Sequence, residues 1–279
     1  MSYSFSAAQM NRLSELAVTP LEPAIFETAE ARQRMFSQLE KEGVKKNRRA
    51  LTRLIETTHK PALCTLSENL ARALCAQGFT QVTTPTIISS KALKKMTITP
   101  QSPLYKQVFH LDGKTCLRPM LAPGLYEVSQ RLLNSQKQPL GIFEIGSCFR
   151  KESEGNTHLK EFTMLNVVEW GTPMESRLDR LKTLGALVLD AAEIPGYCFK
   201  EDHSVVYGEG LDLVSPDGLE LASTSMGPHP LDDALKITCT WVGIGFGLER
   251  LLMFREKTSG IHRHSKSTTF LDGACLKLK

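Results

Sequence analysis

Gly243-Ile244-Gly245-Phe246-Gly247-Leu248-Glu249-Arg250-Leu251-Leu252 runs a strand straight into a helix. Glycine at every second position strips one face of the strand of side chains, leaving room for a flat ring or a backbone. A dinucleotide loop needs its third glycine at position 248, which is Leu, and no βαβ unit precedes the stretch. Arg250 projects from the start of the helix. The pattern therefore reads either as a floor for a ligand with an arginine beside it, or as a tight sheet corner.

A second arginine lies upstream in Phe149-Arg150-Lys151-Glu152, which leads through a polar loop to His158 and then to Glu161-Phe162-Thr163-Met164-Leu165-Asn166. Arg150 ends an apolar strand, where its rigid guanidinium fork matches phosphate oxygens. The competing reading is a surface Arg-Lys-Glu ion-pair cluster.

Around these stretches the periodicity alternates between helix and strand. Ser6 and Gln9 form a capping box ahead of Met10, Leu13 and Leu16. A helix is expected over 25–42, ended by Gly43, followed by another through Ile55. Pro61 opens a helix with Leu63, Leu66, Leu70 and Leu74 as its apolar stripe, closed by Gly78. Phe79 to Thr84 reads as a strand broken by Pro85. Asp112-Gly113 between 107–111 and 114–117 signals a hairpin. Pro123 opens a helix with Leu125, Tyr126 and Leu132. Strands are expected at 141–145 and 162–170, then an amphipathic helix through Leu178, Leu181, Leu184, Leu187 and Val188. Further strands are expected at 204–207, 211–214 and 219–223. Hairpin-linked runs without strict βαβ alternation indicate an α+β fold with a mainly antiparallel sheet. The division expected is a helical region at residues 1–58 and a core at 59–279.

With 279 residues, 41% of them hydrophobic, the chain is long enough for one large core. Net charge is +4, too mild to imply a nucleic-acid partner by itself. Lys45, Lys46, Arg48, Arg49 and Arg53 are nevertheless dense, as a solvated helix face or as an RNA phosphate contact. The seven cysteines are scattered without a CxxC pair, so neither a disulfide frame nor a zinc ribbon is expected. They read as small buried residues in a reducing cytoplasm. The polar N-terminus suggests no signal peptide, and no apolar run approaches a membrane span. His264-Ser265-Lys266-Ser267 looks like the lysine loop of class I synthetases, but the His-x-Gly-His and Rossmann sheet that accompany it are missing.

The two arginine stretches, with the helix–Gly–strand–Pro unit at 61–85, resemble the three motifs of class II aminoacyl-tRNA synthetases. Further stretches narrow the resemblance to the pyrrolysyl-tRNA synthetase family. They are Ala92 to Ile98, Leu117-Arg118-Pro119-Met120-Leu121-Ala122-Pro123, Arg150 to Ser153, Glu161 to Asn166, Val206-Tyr207-Gly208, Leu219 to Ser223 and Trp241 to Leu252. The likeness covers the chain from about residue 60 to its end, and the N-terminal helices more loosely. It implies a class II catalytic fold and a homodimer. The implied reaction activates L-pyrrolysine with ATP and Mg2+ and transfers it to an amber-suppressor tRNA in the cytoplasm. It also implies the freestanding catalytic form, whose N-terminal tRNA-binding domain is a separate protein.

The resemblance also assigns roles. Arg150 and Arg250 are the catalytic pair. ATP falls to Arg150, Glu152, His158, Leu159, Phe162, Glu220, Ser223 and Arg250, with Arg250 stacking on adenine opposite Phe162. Glu220 and Ser223 bind magnesium, although three positions apart on a strand places them on opposite faces unless it kinks. The amino acid falls to Ala122, Leu125, Tyr126, Ser129, Asn166, Val168, Tyr207, Ser223, Trp241 and Gly243, with Asn166 anchoring the amide and Tyr207 closing over the ring. Gly124, Ser129, Thr224, Ser225 and the Lys160-Glu161 pair depart from the family pattern. Ser129 is expected to enlarge the tunnel or add a hydroxyl to it. The alternatives are a class II synthetase for another bulky amino acid, such as phenylalanine, and a non-catalytic tRNA-binding paralogue.

Replacing Lys45, Lys46, Arg48 and Arg49 with alanine is expected to weaken tRNA binding and flatten its salt dependence while sparing adenylate formation. Filter binding across a salt series and pyrophosphate exchange check both halves. Loss of exchange would show that the run supports the fold instead.

Overall fold

The computed structural model describes residues 3–18, 25–151, 158–204, 208–258 and 260–279, with the side chains of 202–209 left aside. In chain order the helices are α1 (Ala7–Glu15), α2 (Ala29–Glu56), α3 (Ala62–Ala76), α4 (Ser90–Lys95), α5 (Pro103–Gln107), α6 (Ala122–Leu133), α7 (Arg177–Ala191), α8 (Leu231–Leu235) and α9 (Leu248–Arg255). The strands are β1 (Thr80–Gln81), β2 (Ile87–Ser89), β3 (Thr115–Leu117), β4 (Leu140–Phe149), β5 (Glu161–Trp170), β6 (Cys198–Ser204), β7 (Gly208–Val214), β8 (Glu220–Gly227), β9 (Trp241–Gly247), β10 (Phe270–Leu271) and β11 (Ala274–Cys275). Contacts divide the chain into two compact units, one of residues 1–61 and 267–279, the other of 62–266. The C-terminal segment thus groups with the N-terminal helices, not with the core in which the sequence reading placed it.

In the first unit α1 begins at the expected capping box, with Ser6 and Gln9 each bonded to the other's backbone. Gly43 does not end a helix. A single α2 of 28 residues passes through it. A Cβ at this position would lie 2.8 Å from Leu16 Cβ and Val18 Cγ2, so the glycine serves close packing against the chain that follows α1. One turn later Asn47, only 4% exposed, donates to Leu16 O at 2.8 Å and Gly43 O at 2.9 Å. Its Oδ1 accepts from Cys275 N at 2.7 Å, so one buried amide joins α2, the end of α1 and β11.

The second unit is built on a seven-stranded sheet in the order β1-β4-β5-β9-β8-β7-β6. Only β1 against β4 is parallel, and every other pairing is antiparallel. This is the α+β architecture expected. On one face Leu165, Val167, Val242, Ile244 and Phe246 pack with α3, α7 and α9 into a core through Leu66, Leu70, Leu74, Leu181, Leu184 and Leu251. On the other face Val168, Trp170 and Trp241 meet Leu93, Leu104, Leu121, Leu125 and Tyr126 from α4 to α6. Burial of each such side chain contributes about 1.5–3 kcal/mol.

Several elements differ from expectation. Pairing at 79–84 is confined to the two residues of β1. Gln107 belongs to α5, so the first hairpin arm is shorter than expected; His110 still bridges Cys116 across the turn, and β3 pairs on its other side with β2. The Asp112-Gly113 turn itself forms: Asp112 Oδ1 accepts from Lys114 N at 2.7 Å and Thr115 N at 2.6 Å, which holds the carboxyl below its usual range. The strand expected at 204–207 lies outside the described residues beyond Ser204. Cys64, Cys75 and Cys198 are exposed thiols, not buried ones. Among the described residues no helix is long and apolar enough to cross a membrane.

Asn47→Ala leaves Cys275 N–H without its acceptor and is expected to cost about 2–3 kcal/mol. Hydrogen exchange at Cys275 and a denaturant melt read the effect; unchanged protection there would assign the bond no stabilising role.

Candidate active site

The apolar face of the sheet that meets α6 also forms the floor of a cavity of about 550 Å³. Its register explains why. Asn166, Gly245, Ser223 and Asp212 are successive cross-strand neighbours on β5, β9, β8 and β7, and all four line the cavity. The next row, Val168, Gly243 and Ser225, lines it too. Alternation leaves Gly243, Gly245 and Gly247 facing the space, while Val242, Ile244 and Phe246 face the core. None of the three glycines has a left-handed backbone, so their role is space rather than conformation. A Cβ on Gly245 would stand 3.3 Å from Asn166 Nδ2 and 3.4 Å from Met164 Cε.

Glu220 and Ser223 both reach the cavity despite their odd spacing. The register slips between Val214–Glu220 and Leu213–Ala222, so Leu221 is an extra residue. This bulge carries Leu221 and Ala222 together into the core and turns Glu220 to the face of Ser223. The expectation of opposite faces is corrected by this kink.

Arg150 and Arg250 line the same cavity. Arg150 Nε donates to Pro119 O at 3.0 Å, and its guanidinium lies 5.3 Å from the centre of the Phe162 ring. Arg250 Nη1 pairs with Glu220 Oε1 at 3.0 Å and donates to Glu220 O at 3.0 Å. The cation resting over Phe162 is therefore Arg150, whereas Arg250 is drawn to Glu220.

The Pro119 carbonyl is itself held in place. Arg118, 5% exposed, pairs with the wholly buried Glu144 at 2.7 Å and donates to Ser147 O and Thr84 O. Thr84 returns two bonds to Glu144 from its backbone N–H and its hydroxyl. Gly146 makes room, since a Cβ there would lie 2.3 Å from Arg118 Nη2. Gly124 does the same for Thr84, whose Oγ1 would be 2.2 Å from its Cβ. That contact explains why a small residue stands at this position. On the far side Glu249 accepts from Thr163 N at 2.9 Å through both oxygens, tying α9 to β5 between Arg250 and Phe162. Burial raises its pKa, an effect the Thr163 bond opposes.

Of the residues expected at the site, Ala122, Leu125, Tyr126, His158, Leu159, Phe162, Asn166, Val168, Glu220, Ser223, Trp241, Gly243 and both arginines line this single cavity. Glu152 and Tyr207 lie outside the described residues. Ser129 is a correction. It is fully buried one turn beyond Leu125 on α6 and is not part of the cavity wall, because that turn faces the core. Sequence reading missed Asp212, Ser225, Met164 and Glu249, which also line the cavity. Parity with Ser223 across a hairpin points to Asp212, but only once the bulge is known. Lys266, set aside as a decoy, bonds Ser147 and Glu161 where β4 ends and β5 begins.

The deeper part of the cavity is apolar, walled by Ala122, Leu125, Tyr126, Val168, Trp170 and Trp241. Asn166 stands at its edge, and its Oδ1 is buried with no hydrogen-bond partner among the described residues. A buried amide oxygen left unpaired costs about 1–3 kcal/mol, which a polar ligand atom would recover. The cavity thus offers cations at one end, a bare floor, and an apolar tunnel with one polar anchor.

Comparisons with known proteins agree with this arrangement. The family model for the phenylalanyl tRNA synthetase beta chain CLM domain matches residues 54–201. The phenylalanine–tRNA ligase alpha subunit of Sulfurisphaera tokodaii is 31% identical over 153 residues; the match covers 52% of this chain but only 32% of the length of that curated relative. A crystal structure of pyrrolysyl-tRNA synthetase from Desulfitobacterium hafniense is 48% identical and covers the whole of both chains with a TM-score of 0.92. A second structure of a pyrrolysyl-tRNA synthetase from that organism is 47% identical, covering 99% of this chain and 96% of its own, with a TM-score of 0.90.

Gly245→Val fills the floor beside Asn166 and is expected to lower adenylate formation by about 100-fold with little change in melting temperature. Pyrophosphate exchange and a thermal melt together check it; retained exchange would mean that no ligand uses this floor.

Proposed function

We propose the following reaction for this chain, which belongs to the pyrrolysyl-tRNA synthetase family: ATP-dependent ligation of L-pyrrolysine to its amber-suppressor tRNA through an aminoacyl-adenylate. An amino-acid carboxylate oxygen attacks the α-phosphorus of ATP and pyrophosphate leaves. The terminal ribose hydroxyl of the tRNA then attacks the activated carbonyl carbon and AMP leaves. No protein nucleophile is required.

The chain's own residues act by position and charge. Arg150, fixed by the Pro119 carbonyl, is suited to grip the α-phosphate as negative charge grows there. Arg250 has its Glu220 partner to exchange for the terminal phosphates. Adenine finds a bare floor at the glycines and an aromatic face at Phe162. Donors of this kind are each worth about 3–4 kcal/mol of barrier. Glu220 and Ser223 bring one carboxylate and one hydroxyl to the same face, a sparse oxygen set that suits Mg2+ completed by phosphates and water. Bound there, the ion would offset the charge of the triphosphate. A homodimer, a cytoplasmic location and a separate tRNA-binding protein belong to the same proposal and rest on the family alone.

The observation that carries the substrate is Asn166, a buried amide with an unpaired oxygen at the rim of an aromatic and aliphatic tunnel. Pyrrolysine offers the complement: a long alkyl stem, an amide at mid-length and an apolar ring. Amino-acid-dependent pyrophosphate exchange tests the reading across pyrrolysine, phenylalanine and lysine. Pyrrolysine is expected to dominate, and Asn166→Ala to lower its kcat/KM at least about 10-fold while admitting bulky aromatic amino acids. Preference for phenylalanine, towards which the partial match to phenylalanine enzymes leans, would replace this reading. Absence of exchange with all three would favour a tRNA-binding paralogue.

A further inference from the structure

Trp241 begins β9 and is 2% exposed, yet it forms part of the tunnel wall. Among the described residues its ring meets Tyr126, with centroids 5.8 Å apart at 89°, and Trp170, at 5.5 Å and 51°. These edge-on and tilted contacts are packing contacts, and they leave the polar atom of the indole still to be satisfied. That atom makes a directional contact. Trp241 Nε1 donates to both oxygens of Asp232, at 3.1 Å and 3.0 Å.

Asp232 lies in α8, away from the cavity lining, and is 5% exposed. Its Oδ2 also accepts from His229 N at 2.7 Å, which fixes the carboxylate on the loop between β8 and α8. Beneath the indole, Gly227 leaves a gap that no other residue could leave: a Cβ there would be 1.9 Å from Trp241 Nε1. Gly227 is the cross-strand partner of Trp241, so one strand pair supplies the ring and its clearance. A buried carboxylate is an expensive way to satisfy one indole N–H, since burial disfavours its charge. The arrangement is explained if the angle of the indole matters.

We propose that Asp232 is a specificity-determining positioning residue: it holds the Trp241 indole through Nε1 and thereby fixes the wall against which the amino-acid side chain packs. The proposal rests on the reading of this cavity as an amino-acid tunnel. Asp232 touches no reacting atom and acts through Trp241 alone. Its loss should therefore change how the tunnel accepts a side chain and leave the nucleotide end as it was.

The chain has only two tryptophans, so Trp170→Phe makes Trp241 the sole indole reporter. In that background Asp232→Asn, which keeps one acceptor oxygen, and Asp232→Ala, which keeps none, are compared by tryptophan emission and near-ultraviolet circular dichroism without any substrate. Both variants are expected to shift the Trp241 signals, Ala more than Asn. In the otherwise unaltered chain, pyrophosphate exchange should show the KM for pyrrolysine rising about tenfold for Asp232→Ala, the equivalent of one charge-assisted hydrogen bond. The KM for ATP should stay within about twofold, and discrimination between pyrrolysine and shorter Nε-acyl-lysines should narrow. Parallel rises in both KM values, or unmoved Trp241 signals in both variants, would overturn the proposal. If the unaltered chain activates no such amino acid, the tunnel reading fails instead, while the optical comparison still decides whether Asp232 holds the ring.

Discussion

The buried pair between Arg118 and Glu144 is the constraint on which the site is assembled. Both charges are almost wholly removed from water. Such a pair is a weak source of stability, because desolvation offsets much of the attraction. What it supplies is register. The guanidinium binds oxygen atoms from the segment after β1 and from β4, and its carboxylate partner binds the same segment again. The peptide at 118–119 is thereby fixed, and its next carbonyl receives Arg150. The position of the Arg150 guanidinium in the cavity is thus inherited from a second that lies outside its lining.

Opposite this frame the second arginine is positioned by other means. Arg250 leaves α9 directly after Glu249, whose carboxylate is bonded into β5 beside Phe162. The two arginines that line the cavity are therefore positioned from either side of the β5–β9 strand pair. Cys148 shows how dry this region is: burial pushes its thiol up to about 12. Electrostatic contacts in such surroundings are stronger than they are in water.

Much of this was legible in the sequence. The strand and helix at 241–255, the glycine face and the hairpin-linked topology follow from spacing, and the two arginines read from separate stretches line one cavity. What sequence could not give depends on three-dimensional accident. Gly43 carries the usual mark of a helix end, yet tertiary packing against Leu16 and Val18 keeps the helix going. Periodicity predicts that Glu220 and Ser223 diverge, and a single bulged leucine reverses the answer. Ser129 has the right helical spacing for the tunnel, but one turn is enough to carry it behind the wall. Arg118, Glu144 and Asp232 were invisible as site residues because charged groups are ordinarily taken for surface.

The side-chain-poor floor has a consequence for how such an enzyme diversifies. Gly243, Gly245 and Gly247 present only backbone, so drift at these positions has one direction, towards obstruction. Heritable novelty is channelled to α6, β5 and β8, where side chains already exist to be exchanged. A lineage built this way keeps its currency of activation constant while its repertoire of cargo wanders.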